Sequence, residues 1–225
     1  MATLVSVNVG RAQAFTVGER KFRSAILKAP AEGRVMLGEL GLEGDQQSDH
    51  RYHGGPMKAV YLYSAEHYAF WAHALKSDAL PPGTLGENLT IGGLDGGLEQ
   101  ALHVGDVLQV GGARVQLTTP RQPCWKLETR MGLPGFAKAF LESGRIGMYA
   151  RVVQEGEVAA GDDVSVFERA PKSATIADLI RALYFEDGAA AERVLADPRL
   201  APELRRRLRK IQRNEPLESS DLPSG

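Results

Sequence analysis

Val107-Leu-Gln-Val-Gly-Gly-Ala-Arg-Val-Gln-Leu-Thr-Thr-Pro-Arg-Gln-Pro-Cys-Trp-Lys-Leu127 holds two short β-prone runs, a turn between them and the only cysteine of a 225-residue chain. Gly111-Gly112 separates Val107–Val110 from Arg114–Thr118 and is a two-residue hairpin signal. Ala113–Thr118 alternates apolar and polar residues, as a half-buried strand does. Pro120 and Pro123 then interrupt regular pairing and stiffen the loop. Cys124 follows, at the first turn of a short helix predicted to run through Arg130. A lone cysteine makes no intramolecular disulfide, so it serves packing or chemistry. A helix N-terminus, with Arg121 and Lys126 close by in sequence, favours the thiolate that attacks electrophiles or binds metals. A buried thiol acting as a small hydrophobe is the alternative, and this segment alone leaves both open.

Outward from the hairpin, residues 1–168 read as mostly strand. Leu4–Val9, Phe22–Leu27, Val35–Leu40, Ala59–Tyr63, Asn88–Ile91, Tyr149–Val153 and Val164–Phe167 are further β-prone runs bounded by Gly, Pro, Asp and Asn. Many short strands at modest spacing predict a closed, barrel-like antiparallel sheet. Two helices interrupt it: Ala65–Ala74, which Ser64 can cap, and Gly135–Leu141, ended by Ser143-Gly144.

After Arg169-Ala-Pro-Lys172 the pattern becomes helical. Thr175-x-x-Asp178 opens a helix with Ile176, Leu179, Ile180 and Leu183 at helical spacing. Ala189–Leu195 and Pro202–Arg213 follow, the last with Leu204, Leu208 and Ile211 on one face. The expected organisation is a mainly β barrel domain over 1–168, a small three-helix domain over 173–215 and a flexible tail over 216–225. Three short helices make a marginal core by themselves, so they are expected to dock on the barrel or on a partner. Arg205–Lys210 is basic, which suits a solvated face or the docking of an acidic partner.

Net charge is −1, so no global field points to nucleic acid or membrane. The N-terminus lacks a basic segment followed by an apolar run, and no apolar run approaches the ~20 residues of a membrane span. One cysteine fits a reducing compartment, and the cytoplasm is the expected location.

The densest polar cluster is Gly41-Leu-Glu-Gly-Asp45-Gln-Gln-Ser-Asp49-His50-Arg51-Tyr-His53-Gly54-Gly55. Gly54-Gly55 permits positive φ and an anion-binding nest of backbone N–H groups, to which Arg51 and Lys58 add charge. His50 and His53 with Asp45 or Asp49 also fit a zinc site, and a surface loop held by aspartate turns explains part of the pattern. Asn88 in Gly86-Glu-Asn-Leu-Thr90 suits a cap or turn as well as a site. Arg145 in Gly144-Arg-Ile-Gly-Met148 suits a phosphate or a plain surface charge.

Taken together and in order, Gly41–Gly55, Gly86–Thr90, Val104-Gly-Asp106, Pro120–Leu127 and Arg145–Asp162 resemble the MOSC domain, named for the C-terminal domain of molybdenum cofactor sulfurase. Gly-x-x-Gly-Asp-x-Gln-x-Asp leading to His-Gly-Gly, and Pro-Arg-x-Pro-Cys-x-Lys-Leu, are similar to the stand-alone bacterial YiiM-type branch, which often carries a three-helix tail. Met148 stands where that resemblance leads one to expect an aromatic residue, a packing position.

The resemblance implies a strand-rich barrel that binds a molybdenum–pterin cofactor, with Cys124 as the thiolate ligand to molybdenum. It implies that Asn88 and the His53 region line the cofactor site. It also implies a pyridoxal-phosphate-independent oxidoreductase that reduces N-hydroxylated compounds, hydroxylaminopurine-type base analogues among them, to amines. Arg51, Lys58 and Arg121 suit the pterin phosphate, and His53 or Asp45 suits proton delivery. The expected partners are the small N-hydroxylated substrate and an electron-donating reductase, with no nucleic acid and no membrane, the chain being a monomer or homodimer. A sulfur carrier using a Cys124 persulfide is the principal alternative. A zinc hydrolase on Asp45, His50 and His53, and a non-catalytic binding module, follow it.

Overall fold

The hairpin at Gly111-Gly112 forms as its sequence requires: Val110 faces Ala113 across the turn and Val107 faces Gln116. The computed structural model describes residues 1–47, 54–169, 171–198, 200 and 202–216, and for Glu203 the backbone alone. The strands are β1 Ala2–Val9, β2 Gln13–Val17, β3 Arg20–Ser24, β4 Ala29–Pro30, β5 Val35–Gly38, β6 Gly41–Leu42 and β7 Val60–Ser64. They continue as β8 Leu89–Gly92, β9 Val107–Val110, β10 Ala113–Pro120, β11 Met148–Gln154, β12 Gly156–Val158 and β13 Asp163–Glu168.

Seven of these close a barrel in the order β13-β9-β10-β11-β7-β8-β1, and β1 pairs back onto β13. All its neighbours are antiparallel except β7 and β8, which run parallel. The crossover between those two carries α1, Tyr68–Ala74. In β10, Val115 and Leu117 point into the core while Arg114 and Gln116 stay half exposed, the alternation expected of a sheet with one dry face. β7 is buried along its whole length, with Leu62 and Tyr63 inside. Phe140 of α4, Phe136–Glu142, stacks on Tyr63, and Trp71 of α1 packs on Phe136 and Phe140 while its Nε1 donates to the Tyr63 hydroxyl at 2.6 Å. Met148 is fully buried, the packing role expected of it.

Ser64 does not cap the helix after it. A 3-10 turn at Ala65–His67 precedes α1, and Ser64 Oγ accepts from Leu98 N at 2.6 Å instead. That bond holds α2, Leu98–Ala101, which no sequence periodicity announces. Helix α3 spans Trp125–Met131 with Cys124 at its N-cap, one residue before the expected first turn.

The C-terminal helices are α5 Ile176–Tyr184, α6 Gly188–Leu195 and α7 Pro202–Gln212. Thr175 Oγ1 accepts from Asp178 N at 3.1 Å, so the expected N-cap forms. Leu179, Leu183, Ala190, Ala191, Val194, Leu208 and Ile211 form their own cluster. Ile176 and Ile180 belong instead to the barrel core, and His103 bridges to Thr175. The boundary between β and helical parts is thus crossed by one face of α5. The basic run of α7 is not all a solvated face: Arg207 is buried and donates to Leu183 O at 2.6 Å, and Arg205 donates to Leu195 O and Asp197 O. Apart from Pro216, the expected tail lies outside the described residues. No helix among the described residues is long and apolar enough to cross a membrane.

Candidate active site

Cys124, Asp45, Asn88, Lys58 and Arg121, placed apart in sequence, line one cleft on the barrel. Ser24–Ile26, Gln46, Gln47 and Gly86 form other parts of its rim, with Tyr61 and Tyr149 beneath. Two further cations line it: Lys126, two residues after the cysteine, and Lys28, which carries no motif signal in Ala25-Ile-Leu-Lys28-Ala-Pro30. Arg51 and His53, and with them His50 and Asp49, lie outside the described residues.

The cysteine is positioned by the end of β10. Pro120 still pairs with Met148, and the chain then leaves the sheet through Arg121 to Cys124. The thiol makes no cap bond to α3, and the half-buried Cys124 lines the cleft.

Arg121 forms the floor. Its guanidinium lies 4.5 Å over the Tyr61 ring and donates through Nη1 to Leu85 O. Its buried Nε has no hydrogen-bond partner among the described residues. A buried donor left in this way suits an acceptor brought by a ligand. Gly86 makes room for that floor. Its φ is +82°, and a Cβ there would sit 3.2 Å from Ile26 Cγ1 and 3.6 Å from the guanidinium nitrogens of Arg121. Burial pushes the Tyr61 and Tyr149 hydroxyls up, so both stay protonated beneath the cations.

Asp45 organises the opposite wall. Oδ1 accepts from Gly10 N at 2.8 Å and from the Lys28 ammonium, and Oδ2 accepts from Asn88 Nδ2 at 2.9 Å. Asn88 also accepts from Tyr61 N through Oδ1 and donates to Asn8 O, each at 3.2 Å. It is a brace between three segments as well as a cleft residue. Lys58 follows Gly54-Gly55, whose φ values of 151° and 79° realise the positive-φ pair expected from sequence. Its Nζ lies 5.7 Å from the Tyr149 ring centre, and burial lowers its pKa.

Arg145 does not join this site. Its guanidinium stacks 4.3 Å over Phe70 and lines a second cleft with His67, Glu99 and Arg181, where a surface charge accounts for it. Among the described residues no three His, Cys, Asp or Glu side chains come together as a metal cluster. The described part of the zinc alternative, Asp45, is engaged on both oxygens.

The donor set of the Cys124 cleft is therefore one soft sulfur and several cations. A thiolate suits a redox-active transition metal, and guanidinium and ammonium groups suit a phosphate. The residues present fit a metal-bearing phosphorylated cofactor.

Comparison with known proteins agrees with this architecture. The MOSC domain family matches residues 49–165. The chain is 37% identical over 201 residues to the uncharacterized protein YflK of Bacillus subtilis, covering 88% of this chain and 89% of that one. It is 31% identical over 169 residues to a protein of Gibberella moniliformis named as a reductase, covering 74% of this chain but 29% of the fungal protein. The crystal structure of YiiM from Geobacillus stearothermophilus superposes with a TM-score of 0.73 at 30% identity, covering 94% of this chain and 99% of that one. The chain belongs to the MOSC domain family, in its YiiM-like branch.

Proposed function

We propose that this protein is a molybdenum-cofactor-dependent reductase that converts N-hydroxylated compounds, such as hydroxylaminopurine-type bases, to amines. The observation that carries the reading is the place of the sole cysteine, Cys124, in the lining of a cleft walled by Lys28, Lys58, Arg121 and Lys126. Cys124 would hold the metal through its thiolate. Arg121 Nε, with Lys58 and Lys126, would take the pterin phosphate, and Asn88 would fix the wall on which it rests. Arg51 and His53 belong to the same proposed site by sequence. When bound, the cofactor supplies two-electron reduction chemistry. The chain's own residues bind and orient it, and the buried Tyr61 and Tyr149 keep water from the floor. The reductase name of the fungal relative supports redox chemistry over sulfur transfer.

Expression in a host that makes the cofactor, followed by molybdenum and pterin assay, tests this directly. The expected result is molybdenum and pterin bound to wild type, absent from Cys124→Ser, with reduction of N-hydroxylated bases by a chemical reductant lost in the same variant. Serine is a harder ligand that stays protonated at neutral pH. Full activity and metal in Cys124→Ser would remove the thiolate role. A labile extra sulfur on Cys124 with no molybdenum would replace this reading by persulfide transfer.

A further inference from the structure

Reduction of an N-hydroxylamine needs protons as well as electrons. R–NH–OH, two electrons and two protons give R–NH2 and water: the N–O bond breaks, and one N–H and one O–H bond form. The electrons come from an electron-donating reductase or a chemical reductant. A proton must meet the departing oxygen inside the cleft, since hydroxide is a poor leaving group.

Asp45, the described residue expected to deliver it, is placed as an acceptor. Both its oxygens are taken, by Gly10 N, Lys28 and Asn88. The acidic member of this pair is the lysine. Lys28 Nζ is bound to Asp45, and its side chain is 9% exposed. Its remaining ammonium protons have no partner among the described residues, and the residue lines the same cleft as Cys124. Tyr61 and Tyr149 are poorer acids because burial raises them.

We propose that Lys28 is the general acid of the cleft, held in place by Asp45, and that it gives its proton to the hydroxyl oxygen of the substrate as the N–O bond breaks. This rests on the reductase reading above. Solvent at the cleft mouth supplies the second proton, to the nitrogen, and reprotonates the Lys28 amine between turnovers. The groups acting on Lys28 are Asp45, Arg121 and Glu87. Burial lowers its pKa, Asp45 and Glu87 oppose that, and Arg121 adds to it, so the ammonium releases its proton more readily than a surface lysine.

The test is Lys28→Arg in the cofactor-loaded full chain, with an N-hydroxylated purine and a reduced viologen dye. Arginine keeps the charge and the ion pair to Asp45 but does not give up a proton. The expected result is a fall in kcat of about 10²-fold or more, with KM little changed. The wild-type rate should decline as pH rises through the Lys28 titration, and that limb should be missing in Lys28→Arg. A wild-type kcat and an unchanged alkaline limb in Lys28→Arg would overturn the proposal. A second measurement needs no activity: 13C-methyl labelling of the lysines, with the Lys28 signal assigned by its absence in Lys28→Arg. The Lys28 signal should titrate below the ordinary lysine value of about 10.4. Titration at or above that value would overturn the proposal, whether or not the arginine variant folds. A loaded wild type that reduces no N-hydroxylated base removes the reductase reading itself, and the role of Lys28 with it; activity with an intact Lys28→Arg removes Lys28 alone.

Discussion

Asn88 Nδ2 donates to Asp45 Oδ2 over 2.9 Å and so ties the Gly86–Thr90 turn to the Gly41–Gln47 loop across the candidate site. The same amide also serves Tyr61 N and Asn8 O. Asn88→Ala would leave buried groups on three segments without partners. The expected loss of stability is about 1–3 kcal/mol by urea unfolding, because an orphaned buried polar group carries its full desolvation cost. Molybdenum content should fall as well. Asn88→Ala with wild-type stability and a changed metal content would show that the brace carries no weight and that the amide acts on the ligand alone.

The aromatic contacts of Trp125 lead to a second expectation. Among the described residues, strands β2 and β3 pair only with each other, and most of their residues are exposed. A lone two-stranded ribbon is marginal in water. This one is anchored where Phe22 meets Trp125 edge to face at 4.5 Å and Arg20 covers the indole at 4.3 Å. Trp125→Ala should therefore release the ribbon and leave the barrel folded. Hydrogen exchange should accelerate across residues 13–24 while β9, β10 and β11 keep their protection. Uniform acceleration would mean that Trp125 supports the barrel itself.

These two sites show what the sequence made legible. The Gly111-Gly112 turn was readable because a tight hairpin depends on local backbone freedom, and its register follows. The barrel strands were readable through alternation such as that of Ala113–Thr118. Gln13–Val17 was not, because a strand exposed on both faces has no apolar period. Cys124, Asp45, Asn88, Lys58 and Arg121 stood in motifs, whereas Lys28 gains its meaning only from meeting Asp45 across the cleft. Arg205 and Arg207 read as a solvated basic face because the carbonyls they bind, at Leu183, Leu195 and Asp197, come from other helices and their ends.

Acid should loosen the helical unit. At Asp178, burial alone would raise the carboxyl pKa, but hydrogen bonds from Arg193 and Thr175 outweigh it and hold the group below its ordinary value. At Asp187 the Ala190 N–H, and then Arg181, hold it down despite slight desolvation. A folded pKa below the unfolded one contributes stability that is present above the unfolded value, about 3.9, and is lost as pH falls through the folded value. Helical circular dichroism should decline below about pH 4, and the decline should be shallower in Asp178→Asn, which is less stable at pH 7. An identical acid profile in wild type and Asp178→Asn would exclude Asp178 as its cause.

Removing the helices tests how far the barrel stands alone. Truncation after Ala170 deletes Ile176 and Ile180, both fully buried or nearly so and both part of the barrel core. It also cuts the bonds that Ile176 N donates to Leu102 O and Val104 N donates to Ala174 O. Each isoleucine withdrawn from a packed site costs roughly 1.5–3 kcal/mol of apolar burial. The truncated chain should therefore unfold at markedly lower urea than the full chain, while the Cys124 cleft, built wholly from earlier residues, should still take up molybdenum when the barrel is folded. Ile176→Ser with Ile180→Ser in the full chain separates the two effects, since it removes the shared face and leaves α6 and α7 in place. If that double variant matches the truncation in stability, the helices matter to the barrel through α5 alone. If the double variant is as stable as wild type, the apolar seam between the two parts contributes little to the stability of the barrel.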